Sequence, residues 1–227
     1  MPVSTHKDRN SYLITNTNSG SPISEAYRAL RTNITFSSID TDLKKIVVTS
    51  SIQSEGKSTT IANLAVVYAQ ENKRVLIIDA DLRKPSLHQY FVRSNRHGLT
   101  NILAQQLKPA DAILETDIPN VSLLTAGPNP PNPAELLSSS KMQQLLEQLS
   151  DEFDLILIDS PPTLAFTDAQ ILSAISDGVL FVIQHGKVKR QIAKKALLNL
   201  EHVKAKVLGI VLNDKPTSKK EVFSYSY

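Results

Sequence analysis

The sequence predicts an α/β fold in which a doubly wound, mostly parallel sheet is flanked by helices. Short apolar segments with strand character alternate with amphipathic segments of helical spacing along most of the chain. Two of the strands, residues 74–79 and 154–159, are continuously apolar, as in parallel sheets that are buried on both faces. A third strand is joined to a helix by a loop containing Gly56, Lys57 and Ser58, which is the layout of a phosphate-binding P-loop.

The amino-acid composition limits the size of the fold and excludes several kinds of site. The chain has 227 residues, 41% of them hydrophobic, enough for one large domain with a substantial core. It has no cysteine, which excludes disulfides, iron–sulfur clusters and thiolate zinc sites, and its five histidines lack the spacing of a helical metal motif. No apolar run is long enough to span a bilayer and the first residues are too polar for a signal peptide, so we expect a cytosolic protein.

Charge is distributed unevenly along the chain. The formal net charge is +3, but from Lys187 onward there are ten Lys or Arg against three Asp or Glu. Such a basic end suggests an acidic partner, anionic lipid or nucleic acid. A solvated helix face and tail is the alternative that we favour, and we expect no nucleic-acid partner.

The first elements precede the P-loop. Residues 1–20 are rich in Ser, Thr and Asn without periodicity, which predicts a mobile arm. A helix then begins with Ser21 as its N-cap and Pro22 at its first position, where the missing N–H costs nothing. We predict that this helix continues as ISEAYRALRTNITF to about Phe36.

The P-loop lies within IVVTSSIQSEGKSTT (residues 46–60), and its chemistry would come largely from the backbone. N–H groups of the loop and of the new helix converge on the β- and γ-phosphates, where the helix dipole adds positive charge. Lys57 would bridge the two phosphates and the Ser58 hydroxyl would take one Mg²⁺ position. Ser51 and Ser54 stand where glycines are common, so the loop either tolerates strain or bends differently. Taken alone, Gly56, Lys57 and Ser58 could instead form an ordinary exposed turn.

The rest of the chain continues the alternation. Short helical pieces are predicted in residues 98–113, and a strand in residues 121–125. GPNPPNPAELL (residues 127–137) has four prolines and predicts a rigid extended loop before a helix near Ala134. The remaining predicted elements are helix 141–149, strand 154–159, helix 167–175, strand 179–184, helix 191–203 and strand 207–212.

Two aspartates, Asp79 and Asp159, end the two most apolar strands. Carboxylates in that position lie in the crevice where open α/β sheets bind ligands. Either aspartate alone could be a turn cap. Because the P-loop would open at the same edge of the sheet, the three elements together predict a phosphate site with carboxylates directed at Mg²⁺.

At this point the sequence resembles the bacterial tyrosine kinases (BY-kinases), which are P-loop ATPases related to the septum-placement and plasmid-partition ATPases. The resemblance covers nearly the whole chain from Ser21. Asp79, Asp81 and Arg83 look like the extra acidic motif that separates these kinases from other P-loop proteins. The matching segments are EAYRALRTNI (25–34), SEGKST (54–59), VLIIDADLRKP (75–85), TAGPNPPNPAELL (125–137), LILIDSPP (155–162) and GIVLN (209–213).

The resemblance implies ATP and Mg²⁺ as cofactors and gives each site residue a role. Asp79 would activate the tyrosine hydroxyl, and Asn213 would contact adenine. The implied catalytic residues are Lys57, Asp79, Asp81 and Arg83. The implied nucleotide-binding residues are Ser54, Glu55, Gly56, Lys57, Ser58, Thr59 and Asn213. The implied metal ligands are Ser58, Asp81 and Asp159.

The resemblance also implies the wider function. The chain would phosphorylate its own C-terminal Tyr225 and Tyr227 and regulate capsule or exopolysaccharide production. The length of the tail allows transfer in cis or in trans, and we favour trans if the chain forms a homo-oligomeric ring, because a ring holds a neighbouring site at high effective concentration. Glu25, Arg28 and Arg31, spaced by three along one side of the first long helix, match the family's oligomerisation motif. Expected partners are a membrane-embedded activator that recruits the kinase to the membrane, protein tyrosine substrates and a cognate phosphatase.

These inferences divide the chain into a mobile arm (1–20), a P-loop kinase domain (21–213) and a mobile tyrosine tail (214–227). Two alternatives from other functional classes stay open. One is a partition-type ATPase switch, and the other is a scaffold that binds nucleotide without kinase activity. Phosphotyrosine formed with Mg-ATP would distinguish the kinase from both.

Overall fold

The computed structural model describes residues 13–37 and 43–214. The strands are β1 (Lys45–Ser50), β2 (Val75–Asp79), β3 (Ile113–Glu115), β4 (Val121–Leu124), β5 (Leu155–Asp159), β6 (Gly178–Gln184) and β7 (Val207–Asn213). The helices are α1 (Ile14–Thr17), α2 (Pro22–Phe36), α3 (Lys57–Ala69), α4 (Leu87–Tyr90), α5 (Leu99–Leu103), α6 (Pro109–Ala112), α7 (Pro133–Leu137), α8 (Ser140–Glu152), α9 (Asp168–Ala174) and α10 (Arg190–His202).

The seven strands form one sheet in the order β3-β4-β2-β5-β1-β6-β7. All neighbouring strands are parallel except β3 and β4. The strand that leads into the P-loop, β1, therefore lies between β5 and β6, and the carboxyl ends of all three strands meet at one edge. This confirms the predicted doubly wound, mostly parallel sheet.

The core lies on both faces of the sheet because successive side chains of a strand alternate between faces. Ile46 and Val48 of β1 join the apolar cluster under α3, whereas Val47 joins the cluster under α8 and α10. All three are fully buried. Burial on both faces explains why the central strands are continuously apolar. None of the described helices combines the length and apolarity needed to cross a membrane.

Besides the short helix α4, for which the sequence gives no prediction, the structure differs from the predicted elements in two places. Residues 113–115 form the short antiparallel strand β3, where the sequence predicts helical pieces only. Three residues are too few for a period-2 pattern to be visible in the sequence.

The second difference concerns the predicted arm, where residues 14–17 form α1. Leu13 is buried, and the Thr15 hydroxyl donates to Asn63 Oδ1 of α3 at 2.9 Å. The packed domain thus begins before Ser21, and the predicted boundary is wrong for this part. A single helical turn is too short for periodicity to reveal it. The other predicted arm residues, 1–12, lie outside the described residues.

Candidate active site

The P-loop connects the end of β1 to the start of α3, at the carboxyl edge of the sheet. Ser54 has φ 60° and Gly56 has φ 94°, so both take left-handed conformations. A side chain at the Ser54 position makes this conformation costly, by about 1–3 kcal/mol. Of the two possibilities that the sequence leaves open, the loop adopts the strained conformation despite the serine. Ser51 is fully buried, and its hydroxyl has no hydrogen-bond partner among the described residues.

Asn213, at the end of β7, packs directly against the P-loop. Its Nδ2 donates to the Glu55 carbonyl at 3.1 Å. A Cβ at Gly56 would lie 2.0 Å from the same Nδ2, so only glycine fits there. The amide thus contacts the loop backbone, and the adenine contact assigned to Asn213 from the sequence stays a prediction.

The carboxylate of Glu55 is directed into the protein. The residue is fully buried, and its two oxygens accept from the N–H groups of Ile52 (2.8 Å) and Gln184 (3.2 Å). Glu55 was predicted to bind nucleotide. Because both carboxylate oxygens are engaged inside the protein, only its backbone N–H stays a candidate for that role.

The first turn of α3 presents several N–H groups to the loop opening. The earliest bond of this turn runs from Thr60 N–H to the Gly56 carbonyl at 2.8 Å. Within the described residues no hydrogen bond uses the N–H groups of residues 54–59. Lys57 opens the helix and is only 8% exposed. This cluster of N–H groups with one lysine is suited to bind an anion.

Ser58 and Asp159 meet beside the loop. The Ser58 hydroxyl donates to Asp159 Oδ2 at 2.6 Å, and Ser86 Oγ donates to Ser58 Oγ at 2.9 Å. Asp159 Oδ1 is buried and has no hydrogen-bond partner among the described residues. Burial raises the pKa of Asp159 to about 6, although the nearby Lys57 charge opposes that shift.

Asp79 ends β2 directly opposite Asp159 of the neighbouring strand β5. Its Oδ2 accepts from the N–H groups of Ser86 and Leu87, both at 3.0 Å. Its Oδ1 is buried and unbonded among the described residues. Burial, and then the adjacent Asp159 charge, hold the pKa of Asp79 well above its usual range. The structure therefore brings the predicted carboxylates Asp79 and Asp159 together.

Asp81 and Arg83 follow on the loop after β2. Asp81 Oδ1 accepts from Lys84 N–H at 3.0 Å, and burial raises its pKa while Lys57 lowers it. Arg83 makes two hydrogen bonds to the buried carboxylate of Asp168, at 2.8 and 3.0 Å, and stacks 3.9 Å from the Phe166 ring centroid. Arg83 is therefore fixed to the start of α9.

Asp168 and Phe166 were not identified from the sequence. Asp168 is 85 positions from Arg83 along the chain and reads as an ordinary acid in the first turn of a helix. Nothing in the local sequence indicates that it pairs with an arginine. Only the tertiary fold brings the two elements together.

The residues present fit a Mg²⁺ ion bound together with a nucleotide. No cluster of three or more metal-ligating side chains occurs in residues 13–37 and 43–214. Magnesium with phosphates needs only one or two protein ligands, because phosphate and water supply the others. Two such ligands are the Ser58 hydroxyl and Asp159 Oδ1, which has no hydrogen-bond partner among the described residues. Asp81 follows Asp79 on the loop after β2, and the Lys57 charge lowers its pKa, so Asp81 stays a candidate ligand.

The predicted oligomerisation residues differ in what they contact. Arg28 pairs with Glu25 on the exposed side of α2 and also donates to the Ser19 carbonyl at 2.7 Å. Arg31 instead donates to the Val67 carbonyl at 2.8 Å and pairs with Glu71 at 2.6 Å, linking α2 to the end of α3. Arg31 therefore has a role within one chain. The predicted phosphorylation sites Tyr225 and Tyr227 lie outside the described residues.

Comparison with known proteins agrees with this architecture. Residues 43–210 match the family AAA_31, described as an AAA domain. The septum site-determining protein MinD of Pyrococcus horikoshii, solved with Mg-ADP, superposes with a TM-score of 0.66 at 25% identity, covering 78% of this chain and 72% of that one. The chain thus has the fold of the septum-placement P-loop ATPases.

Two relatives with higher sequence identity carry tyrosine-kinase names. The tyrosine-protein kinase YwqD of Bacillus subtilis is 46% identical over 89% of this chain and 85% of its own length. The putative tyrosine-protein kinase CapB of Staphylococcus aureus is 42% identical over 91% of both chains. The crystal structure of the chimerical protein CapA2B2 superposes with a TM-score of 0.89 at 40% identity, over 91% of both chains. The likeness extends over 85–91% of these chains, not only the P-loop, and the chain belongs to the bacterial tyrosine kinases.

Proposed function

We propose that the chain transfers the γ-phosphoryl group of Mg-ATP to tyrosine hydroxyls, including those of its own C-terminal tail. One observation carries the proposal: Asp79 has a buried carboxylate oxygen without a hydrogen-bond partner among the described residues, and it lies opposite Asp159, which accepts from Ser58 of the P-loop helix. A simple ATPase needs a phosphate cradle and a metal ligand. The second carboxylate gives this edge a group for an incoming hydroxyl.

The residues divide the work between binding and proton transfer. The N–H groups of the loop and Lys57 would hold the β- and γ-phosphates, and Ser58, Asp159 and Asp81 would hold the metal ion. Bound Mg²⁺ supplies charge neutralisation for the transferring phosphoryl group. Asp79 would orient the phenol and accept its proton late, because an ordinary carboxylate of pKa about 4 is a poor base toward a phenol of pKa about 10.

The surroundings of Asp79 make it a better acceptor for the phenol proton. The raised pKa of its carboxyl group narrows the gap in proton affinity between acid and phenol. The Ser86 and Leu87 N–H groups fix one oxygen, so the other keeps a defined direction. Positioning of this kind is most of what phosphoryl transfer requires, since its transition state is loose.

We further infer the setting of the reaction. The relative YwqD is named a tyrosine-protein kinase and CapB a putative one, and one solved neighbour is the CapA2B2 chimera. By this likeness the chain would act in the cytoplasm, be recruited to the membrane by an activator protein, and regulate capsule or exopolysaccharide biosynthesis. A homo-oligomeric ring, with Glu25 and Arg28 at its interface, would hold the tail of one chain at the site of another. A cognate phosphatase would reverse the modification.

Intact-mass measurement with and without Mg-ATP tests the proposal. The full chain should gain one or two phosphates of mass, and tandem mass spectrometry should place them on Tyr225 and Tyr227. Lys57→Met is the matched control and should gain none. ATP hydrolysis without phosphotyrosine would instead establish a switch of the MinD kind, and nucleotide binding without turnover would establish a scaffold.

A further inference from the structure

We propose that the side chains of Glu55 and Lys187 hold the P-loop in its phosphate-binding shape from behind, without themselves touching the nucleotide. The inference rests on the proposed function in one respect only, that the P-loop binds the phosphates of ATP. Neither side chain belongs to the phosphate-facing part of the loop. Both connect the loop to the end of β6 or to the residues just after it, and Asn213 at the end of β7 adds a third contact.

Glu55 connects the two sides of the loop to the sheet. Its side chain is fully buried, one oxygen accepting from Ile52 N–H at the start of the loop and the other from Gln184 N–H at the end of β6. A buried carboxylate is costly unless it is hydrogen-bonded, and backbone N–H groups satisfy it here. This side chain therefore fixes the loop to a strand that lies beside β1.

Lys187 and Asn213 bind the carbonyl groups of the loop. The Lys187 ammonium donates to the carbonyls of Gln53 (3.2 Å) and Ser54 (2.6 Å). The Asn213 amide donates to the carbonyl of Glu55 at 3.1 Å. Three successive carbonyls are thus held toward the β6 and β7 ends of the sheet.

Peptide geometry explains how these contacts to the loop carbonyls form a phosphate-binding site. In a planar trans peptide the C=O and the following N–H point in opposite directions. Holding the carbonyls of residues 53–55 on one side therefore directs the N–H groups of residues 54–56 to the other side. Those three N–H groups make no hydrogen bond within the described part of the chain. Successive N–H groups directed to one side form an anion-binding concavity.

The serines explain why such support is needed. Ser54 holds φ 60° although it has a side chain, and such a conformation persists only where surrounding contacts enforce it. A glycine would reach the same backbone shape with less strain. The contacts to Lys187 and Glu55 flank Ser54 on both sides and supply that enforcement.

The direction in which one substitution changes nucleotide affinity distinguishes this positioning role from a simple charge effect. A buried carboxylate beneath the phosphates repels them, so removing its charge would strengthen nucleotide binding if charge alone mattered. Removing its hydrogen bonds would weaken binding if the loop shape mattered. Glu55→Gln removes the charge and one of the two acceptors at almost constant volume. Glu55→Asp keeps the charge but is too short to reach both N–H groups.

The experiment is calorimetric titration of the full chain with Mg-ADP. Glu55→Gln and Glu55→Asp should each bind at least about tenfold more weakly than wild type, the scale of losing one hydrogen bond to a charged group. Lys187→Ala should weaken binding about threefold to tenfold, and Lys189→Ala, an exposed lysine two positions away, should not change it. When turnover is measured over a range of Mg-ATP concentrations, Lys187→Ala should raise KM and leave kcat within about twofold, because the bound phosphates themselves hold the loop at saturation.

Three outcomes would overturn the inference: tighter binding by Glu55→Gln, unchanged binding by Lys187→Ala, or a loss of kcat at constant KM. If Glu55→Gln does not fold, as judged by circular dichroism and melting without nucleotide, Lys187→Ala decides alone, since that side chain is on the surface. If wild type binds Mg-ADP and the variants show the expected changes, but wild type forms no phosphotyrosine, the kinase proposal is refuted and this inference stands.

Discussion

The hydroxyl of Ser58 donates to Asp159 at 2.6 Å, although the two residues are 101 positions apart in the chain. One begins the P-loop helix and the other ends β5, so the bond joins the phosphate cradle to the acidic edge of the sheet. These are the groups that would share a metal ion. The protein fold therefore brings the two proposed metal ligands together.

Lys57→Met should abolish phosphotyrosine formation and weaken nucleotide binding. Lys57 is the lysine at the start of α3 and is nearly buried beside Asp159. Loss of one such electrostatic contact costs on the order of 100-fold in rate. Mg-ADP titration and anti-phosphotyrosine detection measure the two effects. Lys84→Met, an exposed neighbour of the site, is the control, and normal turnover by Lys57→Met would show that the loop is not the site.

Asp79→Asn should retain Mg-ADP binding and lose phosphotyrosine formation. Asparagine can still accept the Ser86 and Leu87 N–H bonds with its oxygen, so the fold is kept, but it cannot accept the phenol proton. Titration calorimetry and intact mass together test this. Equal losses of binding and transfer would identify Asp79 as a binding residue instead.

The stability of the metal-free protein should depend on the ionisation of Asp159. Burial raises the pKa of its carboxyl group from 3.8 to about 6, so the folded chain binds this proton more tightly than the unfolded chain. Stability is therefore greatest below the unfolded pKa and falls as pH rises through the folded pKa. In EDTA, we expect the difference in melting temperature, Asp159→Asn minus wild type, to increase as the pH is raised from about 4 to about 7. A difference that stays constant over this range would contradict the assignment.

Arg28→Ala should reduce oligomer mass without reducing the stability of the chain. Its pair with Glu25 is on the surface, where such pairs contribute less than about 1 kcal/mol. Arg31→Ala should lower the melting temperature, because Arg31 links α2 to the Val67 carbonyl and to Glu71. Light scattering and thermal melting measure the two properties. Unchanged mass of Arg28→Ala, or a wild type that is monomeric with and without nucleotide and activator, would remove the ring.

Tail phosphorylation should occur in trans. The tail follows Asn213, whose amide binds the P-loop, and twelve extended residues from there to Tyr225 span at most about 40 Å. This reach allows either route, but a ring would hold a neighbouring site at high effective concentration. A Lys57→Met chain mixed with a tagged Tyr225→Phe, Tyr227→Phe chain should acquire phosphotyrosine on its tail. No label on that tail, with a concentration-independent rate for wild type, would establish transfer in cis.

The sequence predicts the scaffold well for a physical reason. Continuous apolar runs ending in Asp79 and Asp159 report strands buried on both faces, and the sheet edge follows from parallel order. The spacing of apolar residues also gave α3, α8 and α10. Local patterns therefore sufficed wherever an element is long and half or fully buried.

Contacts between distant elements were not predictable in this way. The pairing of Arg83 with Asp168 and the burial of Glu55 depend on where side chains meet after folding. Glutamate in a P-loop reads as an exposed, ligand-facing residue, because buried carboxylates are rare. Its two N–H partners, on Ile52 and Gln184, leave no sequence signal. The short elements α1, β3 and α4 were missed because none is long enough for its period to repeat.

The strand order has a consequence for how the chain acquires its shape during synthesis. β1 emerges early, yet Lys45 pairs opposite Ile156, and Ile46 opposite Gly178, roughly a hundred residues or more later. The P-loop also needs Gln184 and Asn213, near the end of the chain. On the ribosome, nucleotide therefore cannot assist folding until nearly the whole chain has been made. We expect slow refolding dominated by these long-range pairings, during which the apolar strands depend on chaperones for protection.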